Sequence, residues 1–70
     1  MKKKIKIKIN GKLNEVHDKT KLSELIKHLK VPLKKVAIEL NKEIIDKNNL
    51  KRIYLKKNDQ IEIVHFIGGG

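Results

Sequence analysis

Residues 4–16 read KIKIKINGKLNEV. Ile5, Ile7 and Ile9 alternate strictly with lysines, the period of a strand with one buried face. Asn10–Gly11 follows at once. Both residues tolerate positive φ, so the chain is predicted to reverse there in a two-residue hairpin. KLNEV then returns as a second strand, anchored by Leu13 or Val16. The period changes in TKLSELIKHLK, where Leu22, Leu25, Ile26 and Leu29 fall at i, i+3, i+4 and i+7 and make one apolar stripe on a helix. Thr20 is the expected N-cap, with Glu24 one residue too late for the usual capping box. Lys27 and Lys30 suit the C-terminal end of the helix, and Pro32 prevents its continuation.

A third strand is expected over VAIELN, residues 36–41, with Val36, Ile38 and Leu40 facing one way. A tight turn near Asn41–Lys42 leads to a short fourth strand around Glu43–Ile45. DKNNLKR is polar and suits a short helical turn. After a turn at Asn58–Asp59, QIEIVHF at residues 60–66 makes the last strand. It places Ile61 and Ile63 on one face and Glu62, Val64 and Phe66 on the other. The order ββαβββ gives an α+β domain, a mixed sheet of about five strands with one amphipathic helix packed on one face. A right-handed crossover sets the final strand beside the first, in the middle of the sheet.

Seventy residues suffice for one core. That core must be aliphatic, because Ile occurs eleven times while Tyr54 and Phe66 are the only aromatic residues. No Cys is present, which excludes disulfides, thiol nucleophiles and thiolate metal ligands and fits a reducing compartment. No apolar run approaches the roughly 20 residues that span a bilayer, and MKKKIKIKIN alternates where a signal peptide would be continuously apolar. The expected setting is soluble and cytoplasmic, with the free protein monomeric. The formal charge is +10, which raises nucleic acid as a partner through counterion release. Two features disfavour it. Seventeen of the eighteen cations are lysines, whereas base readout and stacking favour Arg. The lysines are also scattered and not interleaved with stacking aromatics.

Catalytic chemistry is not apparent within the chain. His17, His28 and His65 share no metal-binding spacing, and no nucleophile triad, carboxylate pair or phosphate-binding glycine loop stands out. His28 is expected at the edge of the helix stripe and His65 as a structural or interface residue. Glu39, Glu43 and Glu62 are read as solvent-facing. The expectation is a protein that is itself no enzyme and holds no metal or cofactor.

Gly68, Gly69 and Gly70 form the distinctive feature that remains. Without Cβ atoms they fit a slot too narrow for any other residue, so a partner's active site can admit them and reach the carboxylate at Gly70. Ordering them costs about 1–2 kcal/mol each, and nothing in the tail offsets that within the monomer. The expected division is therefore a folded domain over residues 1–67 and a flexible tail over residues 68–70.

The order of elements resembles the β-grasp fold of the ubiquitin-like superfamily. VAIELNKEII and NDQIEIVHFIGGG, together with the length, resemble the thiamine-biosynthesis sulfur carriers of the ThiS family. Two departures are local: Lys21 stands at the cap position where the family often has Thr-x-x-Glu, and Lys42 stands in a turn that commonly holds Gly. The resemblance implies a carrier whose Gly70 carboxylate is adenylated by a ubiquitin-activator-like adenylyltransferase using ATP and Mg²⁺. Sulfur from a cysteine desulfurase relay then displaces AMP, and the resulting thiocarboxylate supplies thiazole synthase. Alternation along the last strand adds a docking surface of Val64, Phe66 and Ile67 beside the tail, since exposed aromatics are enriched at interface hot spots. An alternative is a carrier of the same fold serving molybdopterin, tRNA thiolation or cysteine synthesis. Covalent protein tagging and a basic nucleic-acid-binding module are different classes.

Overall fold

The computed structural model describes residues 3–66. β1 (Lys4–Ile9) and β2 (Lys12–His17) form the expected antiparallel hairpin, with Ile9 opposite Lys12. Asn10 and Gly11 both take left-handed φ, 49° and 81°, which matches the right-handed twist of the flanking strands. The chain continues through α1 (Leu22–Leu29), β3 (Val36–Leu40), β4 (Glu43–Ile44) and β5 (Gln60–His65). Single 3₁₀ turns occupy Leu33–Lys35 and Lys47–Arg52. The latter is capped by Asp46, whose carboxylate accepts from the Asn48 amide at 2.8 Å.

The sheet runs β2-β1-β5-β3-β4. β5 lies parallel to β1 and antiparallel to β3, so it is flanked on both sides. A parallel neighbour requires a long connection, and here the whole stretch from β2 through β4, α1 included, lies between β1 and β5. Ile7, Ile38 and Ile61 from the three central strands are at most 1% exposed and meet Leu22, Leu25 and Ile26 of α1. Each such side chain contributes about 1.5–3 kcal/mol when fully withdrawn from water. Leu50 and Leu55 join the same cluster from the segment between β4 and β5. Ile5, Ile9, Val16 and Leu40 pack around its margin.

Several local expectations differ from what is observed. Thr20 does not cap α1; its hydroxyl donates to the His17 carbonyl at 2.6 Å. Lys21 is the N-cap, and Glu24 stands at the third helical position with its carboxylate accepting from the Lys21 amide at 3.0 Å. A lysine ammonium has no lone pair to return that bond, so the Lys21 carbonyl receives the Glu24 amide at 3.0 Å. Glu24 therefore completes half of a capping box, in correct register. Leu29, at the end of the helical stripe, is 37% exposed and stays outside the core. Lys30 ends the helix in the left-handed conformation, φ 58°. Of the two candidate anchors of β2, Val16 packs against the core and Leu13 is exposed. β3, β4 and β5 each stop one residue earlier than the sequence pattern suggests. Asn41 enters the turn, and Ile45 leaves β4 with its amide bonded to the Ile38 carbonyl at 2.8 Å.

Candidate functional site

β5 leads directly to the glycine tail, so what fixes β5 fixes where the tail starts. Two turn asparagines do much of this. Asn10 closes the β1–β2 hairpin, but its side-chain oxygen also accepts from the Ile63 amide at 2.8 Å. Its own amide donates to the Ile61 carbonyl at 2.9 Å. Asn41, with φ 51° in the β3–β4 turn, grips the start of the strand. Its side-chain oxygen accepts from the Gln60 amide at 2.9 Å and its amide donates to the Gln60 carbonyl at 2.7 Å. Asp59 completes this latch. It is the buried charged residue of the described chain, and its carboxylate accepts from the Asn41 side-chain amide and from the Lys56 backbone amide, at 3.0 and 2.7 Å. Both asparagines suit turns because they tolerate positive φ, and here the same residues also hold the central strand in register.

Register assigns the open face of the sheet. Ile61 and Ile63 point into the core, so Gln60, Glu62 and Val64 point away from it. Val64 sits opposite Ala37, and Glu62 opposite Glu39, which in turn faces Ile44 of β4. Lys4, Lys6 and Lys8 continue this face on β1, with Leu13 of β2 opposite Lys8. Val64 is 45% exposed, Phe66 56% and Ile44 75%. Val64 and Phe66 are thus exposed at the end of the sheet where the tail begins, while Ile44 lies two strands away, level with Glu62. Exposed apolar groups gathered in this way mark binding surfaces. Ile44 does not stand out in the sequence because Ile45 follows it directly, and two successive Ile residues in so short a strand do not show which one faces the core.

Phe66 lies one residue past β5, with its amide donating to the Lys35 carbonyl at 2.9 Å. The Lys47 ammonium stands 5.5 Å from its ring centroid, within the range of a cation–π contact. Lys47 also donates to the Leu33 carbonyl. The root of the tail is therefore tied to both 3₁₀ segments. Of the predicted site residues, Val64 and Phe66 are brought together at this root. Ile67, Gly68, Gly69 and Gly70, and with them the proposed boundary after residue 67, lie outside the described residues.

The histidines are dispersed and exposed: His17 ends β2, His28 lies on α1 and His65 ends β5. Among the described residues no group of three His, Asp or Glu side chains is placed to hold a metal ion, and no helix is long and apolar enough to cross a membrane. Tyr54 is exposed, pairing in an isolated bridge with Lys21, whose ammonium lies 5.7 Å from its ring centroid.

A mixed five-stranded sheet grasping a single helix, with its last strand in the centre, defines a β-grasp domain of the ubiquitin-like kind. The crystal structure of the thiamine biosynthesis protein ThiS from Geobacter metallireducens superposes with a TM-score of 0.83 at 30% identity, covering 94% of this chain and all of that one. The sulfur carrier protein ThiS of Bacillus subtilis is 38% identical over 65 residues, 91% of this chain and 98% of its own length. A thiazole synthase of Magnetococcus marinus is 39% identical over 66 residues, 94% of this chain. The match spans only 20% of that larger protein, so a domain like this one is carried within it. The ThiS family profile matches residues 7–70. The chain belongs to the ThiS family.

Proposed function

We propose that the chain is a sulfur carrier of thiamine biosynthesis, acting through a terminal carboxylate at Gly70. The observation that carries this reading is family membership that extends through the glycines to residue 70, together with a central strand built to present them. A carboxylate is a poor electrophile until one oxygen becomes a good leaving group. An adenylyltransferase supplies that by joining the Gly70 carboxylate to the α-phosphate of ATP, with Mg²⁺, and releasing pyrophosphate. Persulfide sulfur from a cysteine desulfurase relay attacks the acyl carbon and AMP departs, and a thiol reductant then cleaves the acyl disulfide to leave the thiocarboxylate. Thiazole synthase is the acceptor. The chain has no Cys, so the cargo sulfur rests on the acyl carbon and on no side chain. The protein is a co-substrate for its partners and not itself the enzyme; carriers of this fold that serve molybdopterin, tRNA thiolation or cysteine synthesis would share the tail chemistry.

The residues of the chain set the geometry of this exchange. From Phe66, four residues extend at most roughly 14 Å at about 3.3–3.6 Å each. A partner that admits Gly70 to its active site must therefore rest against the root of the tail. Val64 and Phe66 offer it an apolar contact, Ile67 continues toward the glycines, and Gly68 and Gly69 thread the narrow entry. Ile44 extends the same surface across β4.

ATP–pyrophosphate exchange by the adenylyltransferase, measured with this chain as co-substrate, tests the reading. Exchange is expected with the unmodified chain. Phe66→Ala should raise the KM for the carrier about tenfold, as loss of an interface anchor does, with kcat little changed. Its stability should change by no more than about 1 kcal/mol, because the ring is half exposed and loses one cation–π contact. A large fall in melting temperature with an unchanged KM would place Phe66 in the fold and not in docking.

A further inference from the structure

On the opposite side of the molecule from the open sheet face, a cleft of roughly 870 Å³ runs between α1 and the 3₁₀ turn Lys47–Arg52. Its rim carries Lys21, Lys27, Lys30, Lys47 and Lys51 against one acid, Glu24. Lys27, Lys30 and Lys51 are exposed. The apolar part is made by the edges of the buried Ile26 and Leu50, with half-buried Val31 and with Leu33, which is 38% exposed. We propose that this cleft is a second docking surface, separate from the open sheet face, which takes an acidic amphipathic segment of a partner protein.

Charge and composition select that occupant. Five lysines around an apolar strip match a segment with carboxylates on one side and aliphatic residues on the other, the arrangement of helix-in-groove recognition. No aromatic side chain lines the cleft, so nucleic-acid bases would find no stacking platform. No His lines the cleft beside the Ser23 hydroxyl to serve as its base, so it is read as a surface for holding. It is also continuous with the tail root, because Lys47 lines the cleft and stands over the Phe66 ring. An acidic segment seated here would touch the root from the helix side and leave Val64 and Ile44 free for another contact. The assignment does not depend on the chemistry of the tail.

The test is an NMR titration of the ¹⁵N-labelled full chain with a synthetic peptide bearing glutamates on one helical face and leucines on the other. Saturable shifts are expected at Lys27, Lys30, Leu33 and Lys51. The combined change Lys27→Glu, Lys30→Glu, Lys51→Glu should weaken binding about tenfold or more, since like charges are then opposed across the interface. Lys8→Glu, Lys12→Glu, Lys57→Glu alters net charge equally and should change affinity by less than about twofold, as surface charges remote from a contact do. A chain ending at Ile67 should bind the peptide as tightly as the full chain. Equal losses in both triple variants, shifts centred on Lys4, Lys6 and Lys8, absence of saturable binding, or tighter binding of a single-stranded oligonucleotide at the cleft would each overturn the proposal. Exchange activity reads the tail function separately, so the two readings can fail independently.

Discussion

Ile61→Ala is expected to remove a large part of the domain's stability. The side chain is 1% exposed and sits in the central strand, between Ile9 on β1 and Leu40 on β3. Truncating a buried Ile to Ala costs about 2–5 kcal/mol, through lost transfer energy and the cavity left behind. A domain of this size has about 4–10 kcal/mol in total, and this one has no disulfide to raise it. Ile44→Ala is the internal comparison. That side chain is 75% exposed, so the same chemical change should shift stability by less than about 0.5 kcal/mol. Denaturant unfolding followed by circular dichroism measures both. Similar midpoints for the two variants would show that the core does not lie where β5 meets α1.

The second large effect separates function from fold. Removing Gly69 and Gly70 should leave the melting curve unchanged, since among the described residues Ile7, Ile38, Ile61 and the α1 leucines build the core, and two glycines bring no side chain to it. The same deletion should reduce adenylation to background, because the acyl group would end short of the partner's ATP. Gly69→Val makes the point with the length kept. A branched Cβ in the narrow entry displaces the carboxylate, and misplacement by about 1 Å can cost about a hundredfold in rate. A Gly69→Val chain that is still adenylated at the original rate would remove the reason for glycines at these positions.

Patterns carried by neighbouring residues were legible in the sequence. The alternation of Ile5, Ile7 and Ile9, the Asn10–Gly11 turn and the helical spacing from Leu22 gave the elements, and their order gave the sheet. Contacts between distant residues were not legible. Asn10 bonds to Ile63 across 53 positions, and no local pattern separates such an asparagine from one that merely turns the chain. Leu50 stands alone in a polar run, yet it is 3% exposed because the 3₁₀ turn folds it under α1. Leu29 fails in the opposite sense: the helix ends at Lys30, and the side chain in its last turn is left exposed. At the site, alternation was enough to place Val64 on the open face. It did not reveal Lys47 over Phe66, which depends on where β4 delivers the chain.

The central claim is that a folded scaffold presents the Gly70 acyl group to enzymes that activate it. Intact-mass spectrometry after incubation with the adenylyltransferase, ATP and a sulfur source tests it most directly, with fragmentation to locate any change. The expected result is a gain equal to the replacement of one oxygen by sulfur, confined to Gly70 and absent when ATP is omitted. Sulfur found elsewhere on the chain, or a Gly70 carboxylate left unchanged under these conditions, would contradict it.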